Sequence, residues 1–259
     1  MNENLNENRN TIALVTGGNR GLGRATALAL AEAGTDVILT YRSNKDEAAS
    51  VVDAVTALGR TAVALELDTT AFDAFPAFTT SVRDALRTTW DRDTFDFLVN
   101  NAGVAAVTPV GETPVEAFDL LVDVHFKGVF FLTQTLLPLI ADGGRIVNLS
   151  TGLTRFVSEG WSVYAAAKSA VETYTKYLAK ELGPRRITVN AVAPGPIGTD
   201  FGGGAMRDDE GLRAVLAGQA ALGRVGAPED IGGVIASLLS PGTGWITAQR
   251  VEASGGTLL

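Results

Sequence analysis

The sequence contains no cysteine and a single histidine among its 259 residues. Without cysteine the chain forms no disulfide and offers no thiolate to a metal, and one histidine argues against a zinc site built on imidazole. We therefore expect no metal site. Basic residues are also outnumbered, because 21 Lys and Arg against 29 Asp and Glu give a formal net charge of -8. An acidic surface repels nucleic acid and anionic lipid, so neither is an expected partner.

Long apolar runs are lacking as well. We find no run of the ~18 residues that a membrane span needs, so a membrane is not an expected partner. Residues 1–10, MNENLNENRN, have no apolar centre of the kind found in a secretory signal. We interpret residues 1–10 as a polar tail, residues 11–259 as one domain, and the cytoplasm as the default compartment. Apolar residues make up 46% of the chain, which is ordinary for a globular domain.

Short apolar segments alternate with longer helical patterns along the whole chain. Because the strands are solidly apolar, they are typical of a parallel sheet that helices cover on both faces. Right-handed crossovers then predict an α/β fold with a single doubly wound, Rossmann-type sheet. The pattern places strands at 12–15, 37–41, 62–67, 95–100, 145–149, 187–193 and 249–252, and helices at 21–33, 46–58, 71–88, 114–137, 164–182 and 228–239.

A glycine-rich segment, TGGNRGLG at residues 16–23, follows the first predicted strand directly and opens the first helix. Gly17 permits a tight turn, Gly21 lets the backbone approach a pyrophosphate, and Gly23 lets the helix pack on the strand. The free N–H groups of the helix start favour an anion. A glycine-rich turn without a ligand is the alternative, but the strand-to-helix context favours a dinucleotide site.

Four later motifs follow the glycine-rich turn. They are NNAG at 100–103, YAAAK at 164–168, PGPIGT at 194–199, and PEDI at 228–231 with a glycine pair at 255–256. Together with the glycine spacing, these motifs resemble the short-chain dehydrogenase/reductase family, in its oxoacyl-acyl-carrier-protein reductase-like branch, over nearly the whole chain. The resemblance implies a nicotinamide-dependent oxidoreductase that acts on a small-molecule carbonyl or alcohol and assembles as a homo-oligomer, a homotetramer or a dimer.

The choice of nicotinamide depends on the end of the second strand. NAD enzymes of this fold usually carry an acidic residue there, whereas NADP enzymes use arginine for the 2′-phosphate. Tyr41 occupies the acidic position, and Arg42 and Arg20 can both reach a phosphate. The alternative is that both arginines are solvated, but their positions favour NADP(H). Asp68 either binds the adenine, as the resemblance implies, or is a turn or helix-cap residue.

The resemblance assigns cofactor contacts to the glycine-rich turn, the second and third strand ends, the NNAG motif, the YAAAK motif and the PGPIGT motif. These residues are Gly17, Asn19, Arg20, Gly21, Leu22, Gly23, Arg42, Asp68, Asn101, Ala102, Gly103, Tyr164, Lys168, Pro194, Gly195, Ile197 and Thr199.

Tyr164 and Lys168 are four residues apart in a helical pattern, which places them on one face. A free phenol has a pKa near ~10, and a neighbouring ammonium should lower that pKa so that the phenol can exchange a proton near neutral pH. Tyr164 is thus the candidate general acid and base. An exposed Tyr–Lys pair is the alternative. The resemblance implies that Lys168 also holds the nicotinamide ribose.

Two further positions depart from the family. Thr151 stands where the family usually has Ser, and its hydroxyl can still bind the substrate oxygen. Ser150 competes for this role, but on a strand end it should point to the opposite face. His125 stands where the family has Asn beside a helix irregularity, with a water on the active-site Lys. Its role as a fourth catalytic group and its role as an ordinary packed His remain open.

The function that these residues predict is NADPH-dependent reduction of a small ketone or β-oxo compound. Residues 194–223, rich in Gly and Pro, are the candidate substrate lid. An apolar substrate face, or simple lid packing, is indicated by Leu153, Phe156, Val157, Trp161 and Phe201.

Two alternatives remain. An oxoacyl-acyl-carrier-protein reductase would need a basic docking patch, but residues 140–144 contain no basic residue and only Arg185 and Arg186 remain as a possible patch. A catalytically weak NADP(H)-binding regulator is the alternative from another class, because positions 125 and 151 depart from the family.

Overall fold

The structure, a computed structural model, describes residues 10–259, and nine residues of the predicted tail lie outside this range. Seven strands form one all-parallel sheet in the order β3-β2-β1-β4-β5-β6-β7. The predicted fold class, a doubly wound α/β sheet, is confirmed. The strands are β1 Ile12–Val15, β2 Asp36–Tyr41, β3 Ala62–Glu66, β4 Phe95–Asn100, β5 Ile140–Leu149, β6 Thr188–Pro194 and β7 Arg250–Ala253.

Helices cover both faces of this sheet. On one face α1, α2 and α9 pack over the sheet, and on the other α3, α5 and α6 do so. The helices are α1 Gly21–Glu32, α2 Lys45–Ala57, α3 Phe75–Trp90, α4 Val115–Val122, α5 Gly128–Leu136, α6 Ser162–Leu182, α7 Ala205–Asp208, α8 Glu210–Gln219 and α9 Pro228–Leu238.

The central strand β1 shows why the apolar runs are continuous rather than alternating. Ala13 and Val15 belong to the core on one face, whereas Ile12 and Leu14 belong to the core on the other. Successive side chains of a strand point to opposite faces, so both sets must be apolar when helices cover both. Complete burial of each large side chain contributes about 1.5–3 kcal/mol.

The prediction of one continuous α-helix at 114–137 is wrong, because a π-helical turn interrupts it near its middle. Helix α4 ends at Val122, a π-helical turn spans Asp123–Lys127, and α5 begins at Gly128. The Gly128 N–H donates to the carbonyl of Asp123, five residues earlier, so the turn accommodates one extra residue. Apolar periodicity alone cannot detect such an insertion, because the residues on either side still read as helix.

The fifth strand begins earlier than the predicted 145–149. Strand β5 starts at Ile140, and its register against β4 shifts between Phe95 and Phe97. Gly144 lies so close to the carbonyl oxygens of Ala141 and Asp96 that a Cβ atom there would be 2.7 Å from each. The irregular strand therefore requires glycine at position 144, and glycine concealed the strand from the sequence pattern.

One helical segment, Val115–Leu139, is long and apolar enough to meet a length and composition test for a membrane span. Leu132 and Leu136 in this segment are fully buried against the sheet. The segment is therefore a core element of this fold, and its apolar character is explained by packing.

Helices α1 and α9 pack unusually closely at Gly232. A Cβ atom there would lie 2.6 Å from the Ala25 carbonyl oxygen of α1, whereas Gly233 on the same helix has open space around it. This contact supports the helix that follows the glycine-rich turn.

We predict that Gly232→Ala lowers the free energy of unfolding by about 1–3 kcal/mol, because the methyl group overpacks the helix contact. Gly233→Ala is the matched control and should leave stability equal or raise it by about 0.5–1 kcal/mol through helix propensity. Denaturant unfolding of both variants measures this. Equal effects of the two substitutions would contradict the packing argument.

Candidate active site

The candidate site lies at the carboxyl edge of the sheet, where parallel strands place their following residues side by side. Thr16 follows β1, Arg42 follows β2, and Asn101 follows β4. Thr151 follows β5 after one intervening residue. The topology therefore collects candidate residues from distant parts of the sequence at one edge.

The glycine-rich turn after β1 has the geometry of an anion cradle. Gly17 and Gly21 adopt positive φ values of 62° and 54°, and a Cβ atom on Gly23 would lie 2.1 Å from the Gly17 carbonyl oxygen. Helix α1 begins at Gly21, and the side chain of Arg20 does not cap it. The N–H groups of its first turn remain available to an anion, so these residues fit a dinucleotide pyrophosphate.

Asn101 joins this turn to the end of β4. Its side-chain amide donates to the carbonyl oxygens of Thr16 at 2.8 Å and Gly17 at 3.1 Å. The Thr16 hydroxyl in turn accepts from the backbone N–H groups of Asn101 and Ala102 at 2.9 and 3.0 Å. The segment 101–103 is thereby held beside the turn.

The adenosine end of the predicted cofactor site is open and basic. Arg20 and Arg42 are both exposed, and Tyr41 is buried. Sequence reasoning missed Glu47, whose carboxylate accepts a hydrogen bond of 2.7 Å from the side-chain amide of Asn19. The sequence feature that could have pointed to Glu47 is the helix-capping residue Asn44, whose side chain accepts a hydrogen bond from the Glu47 N–H at the start of α2.

Asp68 forms a local turn and does not cap the following helix, because the N-cap residue of the next helical turn is Ala71. Its carboxylate accepts hydrogen bonds from the backbone N–H and the hydroxyl of Thr70, at 2.8 and 2.7 Å. Burial alone would raise the pKa of Asp68. The two hydrogen bonds from Thr70 and the charge of Arg42 together outweigh burial, so the pKa lies below its usual value. The carboxylate therefore stays ionised and lies close enough to Arg42 to influence it.

The last stretch of the predicted cofactor site also reaches the glycine-rich turn. The Thr199 side chain lies against Gly21, since a Cβ atom added at position 21 would be 3.8 Å from the Thr199 Cβ atom. Gly195 is required beside Ser254, because a Cβ atom there would be 2.7 Å from the Ser254 Cα atom. Pro194 ends β6, and buried Ile197 belongs to the core.

Tyr164 and Lys168 lie on one face of α6, as the spacing predicted, and both are buried. The Lys168 ammonium donates to the Leu149 carbonyl oxygen at 2.7 Å and lies 5.8 Å from the centre of the Tyr164 ring. The alternative of an exposed pair is therefore wrong.

The predicted direction of the Tyr164 pKa is wrong for the protein alone. Burial raises the pKa of Tyr164 to about 12, and the hydrogen bond to Thr151 opposes this only in part. Burial also lowers the pKa of Lys168 to about 7. Desolvation disfavours the charged form of each group, because both lie away from water. The phenol is accordingly neutral at pH 7 and can donate a proton.

The two hydroxyls that follow β5 point in different directions. Thr151 interacts with the Tyr164 phenol, and its oxygen accepts from the Leu153 N–H at 3.3 Å. Ser150 instead donates to the Glu172 carboxylate at 2.5 Å. The alternation of strand side chains thus places Thr151, and not Ser150, beside the candidate acid.

His125 lies in the π-helical turn and is buried with 1% of its surface exposed. Its Nε2 atom lies 2.7 Å from the Val104 carbonyl oxygen, and its ring meets Tyr164 edge-on with centroids 4.8 Å apart. Donation by Nε2 leaves Nδ1 as an acceptor, and Nδ1 has no partner among the described residues. Burial, and then the charge of Lys168, lower the pKa of His125 to about 3.

An apolar cleft of about 530 Å³ lies at the start of α6, and Tyr164 is not among the residues that line it. Leu153, Val157 and Trp161 line it, and the Trp161 ring also contacts Tyr164 with centroids 5.6 Å apart. Within the described part of the chain, the residues that line this cleft include one ionisable group, Glu159, and no cation. Two other residues of the predicted apolar substrate face, Phe156 and Phe201, do not line this cleft. Phe156 packs against Gly152, and the Phe201 ring lies beside the Tyr164 ring with centroids 5.9 Å apart.

The chain is similar to known proteins over nearly its whole length. A family model described as enoyl-(acyl carrier protein) reductase matches residues 17–257. An uncharacterised oxidoreductase of Methylorubrum extorquens is 37% identical over 95% of this chain and 96% of its own length. A 3-oxoacyl-[acyl-carrier-protein] reductase of Synechocystis is 36% identical over 96% of this chain and 97% of its own length. The angucycline C-6 ketoreductase LanV, crystallised with NADP, superposes with a TM-score of 0.90 at 37% identity. The superposition covers 96% of this chain and 95% of LanV.

We predict that His125 stays neutral in the folded protein between about pH 5 and about pH 8. Because it is the single histidine, its ring NMR signals can be followed without assignment, and they should not titrate. In denaturant the same signals should titrate near ~6.5.

The folded pKa lies below the unfolded one, so the unfolded chain binds the proton first. The contribution of His125 to stability is then complete above ~6.5 and is lost as the pH falls toward about 3. A folded-state titration midpoint near the unfolded value would show that the ring is accessible to water.

Proposed function

Because the chain belongs to the short-chain dehydrogenase/reductase family, we propose that it is an NADPH-dependent ketoreductase that reduces a ketone or β-oxo compound reversibly to an alcohol. The observation that carries this proposal is the neutral, buried phenol of Tyr164 beside the Thr151 hydroxyl at the carboxyl edge of the sheet.

Each residue then has a defined task. The bound nicotinamide supplies the hydride. The Tyr164 hydroxyl gives its proton to the carbonyl oxygen in reduction and removes it in oxidation. The Thr151 oxygen already accepts from Leu153 N–H, so its hydrogen is available to bind the substrate oxygen. Lys168, whose ammonium donates to the Leu149 carbonyl, would bind the cofactor ribose and, as a cation, would favour proton release by Tyr164 in the oxidative direction.

The cofactor proposal is NADP(H), which LanV also binds. The glycine-rich turn and the start of α1 would hold the pyrophosphate, Asn101, Ala102 and Gly103 would line the adjacent wall, and Arg20 and Arg42 would bind the 2′-phosphate. Asn19, Leu22 and Asp68, with Pro194, Gly195, Ile197 and Thr199, complete the proposed contact set.

His125 acts in this proposal as a neutral positioning residue in place of the family's Asn. Its hydrogen bond to the Val104 carbonyl fixes the segment that follows Gly103, and its ring supports Tyr164 from one side. The unpartnered Nδ1 atom is a suitable acceptor for a buried water.

The proposed substrate is an uncharged, apolar ketone. The cleft beside Trp161 has apolar walls and no cation to bind a carboxylate or phosphate. LanV acts on an angucycline, which makes a ring-bearing ketone a suitable test compound. We also propose that residues 194–223, which contain α7 and α8, cover the substrate as a lid. Gly202, Gly203 and Gly204 all have positive φ, and these glycines would serve as the hinge of the proposed lid.

Two other functions are less well supported. The Synechocystis relative is an acyl-carrier-protein enzyme, but Arg185 of the candidate docking patch is paired with Asp142 at 2.7 Å and also donates to the Leu137 carbonyl. A regulator without turnover would not require the buried arrangement of Tyr164, Lys168 and Thr151. We further propose that the protein is cytoplasmic. We also propose that it is a homo-oligomer, since Phe118 of α4 and Phe131 of α5 are exposed apolar side chains.

We expect a panel of cyclic and open-chain ketones to include substrates that consume NADPH, as measured by the loss of its absorbance. Tyr164→Phe should lower turnover by at least ~100-fold, because the proton donor is removed, with NADPH affinity nearly unchanged. Tyr177→Phe, an exposed phenol on the same helix, is the matched control and should change neither. A Tyr164→Phe enzyme that kept most of its turnover would show that the proton comes from elsewhere.

NADPH should bind at least about tenfold more tightly than NADH, because charge-assisted contacts to the 2′-phosphate add ~1.5–3 kcal/mol. Arg42→Ala should weaken NADPH binding by about tenfold and leave NADH binding nearly unchanged. Arg87→Ala is the control, because Arg87 is an exposed arginine of α3 that pairs with Asp93. Calorimetric titration with both cofactors measures this, and equal affinities of the parent protein would contradict the assignment.

A further inference from the structure

Helix α6 carries a third polar residue in line with Tyr164 and Lys168. Glu172 follows Lys168 by four residues, so the three side chains share one face of the helix. Glu172 is mostly buried, with 17% of its side chain exposed, and it points at the segment that carries Thr151. A carboxylate in this position needs strong partners, because burying it without them is costly.

The partners of Glu172 lie on both sides of Thr151 in the sequence. Its Oε1 atom accepts a hydrogen bond from Ser150 at 2.5 Å and lies 2.8 Å from the Thr154 hydroxyl. The same atom is 2.8 Å from the Arg250 Nε, which completes an ion pair. One carboxylate oxygen therefore anchors the residue before Thr151 and the turn after it.

Arg250 makes the connection to Thr151 direct. A second nitrogen of its guanidinium donates to the Thr151 carbonyl oxygen at 3.2 Å. Arg250 thus holds the backbone of Thr151 through its carbonyl oxygen, while the Thr151 hydroxyl interacts with the Tyr164 phenol. The orientation of the hydroxyl depends on this backbone, because a β-branched side chain has few rotamers.

The network continues to the end of the chain. Arg250 pairs with Glu252 at 2.9 Å, and Glu252 pairs with Arg155 at 2.6 Å. Arg155 also donates to the Leu258 carbonyl oxygen at 2.7 Å. The hydrogen bond and charge of Arg155 contribute to lowering the pKa of Glu252 to about 2, so the carboxylate stays ionised. The alternating charges fix Arg250 in place.

We propose that Glu172 and Arg250 are positioning residues that set the Thr151 hydroxyl against Tyr164. This inference rests on the proposed ketoreductase function. Neither side chain touches the reacting atoms, and both act through the backbone of residues 150–154. A small displacement of a group that binds the reacting oxygen is enough to reduce turnover strongly.

A double-mutant cycle tests this inference, with kcat measured at saturating NADPH on a ketone that the parent enzyme reduces. Glu172→Ala should lower kcat by about tenfold in the parent and by less than about twofold in a Thr151→Ala background, because the group it positions is then missing. Glu172→Gln keeps an acceptor oxygen and the volume, and it should recover most of the loss. Glu181→Ala, an exposed acidic residue on the same helix, should have no effect in either background.

The outcomes separate this inference from the function on which it rests. Equal losses for Glu172→Ala in both backgrounds would overturn the positioning role and leave the ketoreductase function intact. No turnover by the parent on any ketone, despite NADPH binding, would overturn both. Thermal unfolding of each variant, and NADPH affinity within about twofold of the parent, confirm that the comparison is between folded enzymes.

Discussion

The hydrogen bonds between Thr16 and Asn101 hold together two turns on which the rest of the site depends. Neighbouring strands β1 and β4 send their following helices to opposite faces of the sheet, so the backbone opens into a crevice between them. The backbone groups in such turns need partners, and the Thr16 hydroxyl and the Asn101 amide supply them. This fixes the glycine-rich turn on one side and the segment that reaches Val104 and His125 on the other.

Burial is the second constraint, and it determines the protonation of the site. Tyr164 and His125 are both kept neutral, and Lys168 is brought to a pKa of about 7, because water is excluded from all three. A neutral phenol suits proton donation to a carbonyl, which agrees with the reductive direction that we propose. The rings of His125, Trp161 and Phe201 all pack against Tyr164.

The two departures from the family have a physical account in this arrangement. Thr151 retains a hydroxyl, and the polar network of Glu172 and Arg250 holds its backbone. His125 is longer than the Asn it replaces, and it fits because position 103 is glycine: a Cβ atom there would lie 3.0 Å from the imidazole Cε1. Both positions therefore belong to sets of residues that are compatible with one another.

The sequence by itself determined the parallel sheet, the glycine-rich turn, and the shared face of Tyr164 and Lys168, because these follow from local periodicity and spacing. It also indicated that Thr151 and Ser150 point apart, since strand side chains alternate. The resemblance also indicated a helix irregularity at His125. Only the tertiary structure decided its form as a π-helical turn over Asp123–Lys127, the early start of β5, and the shifted pKa values of the site. It also brought Glu172, Arg250 and Arg155 together from distant segments. These features depend on contacts between segments that are distant in the sequence and on the exclusion of water by those contacts. A local sequence pattern does not contain this information.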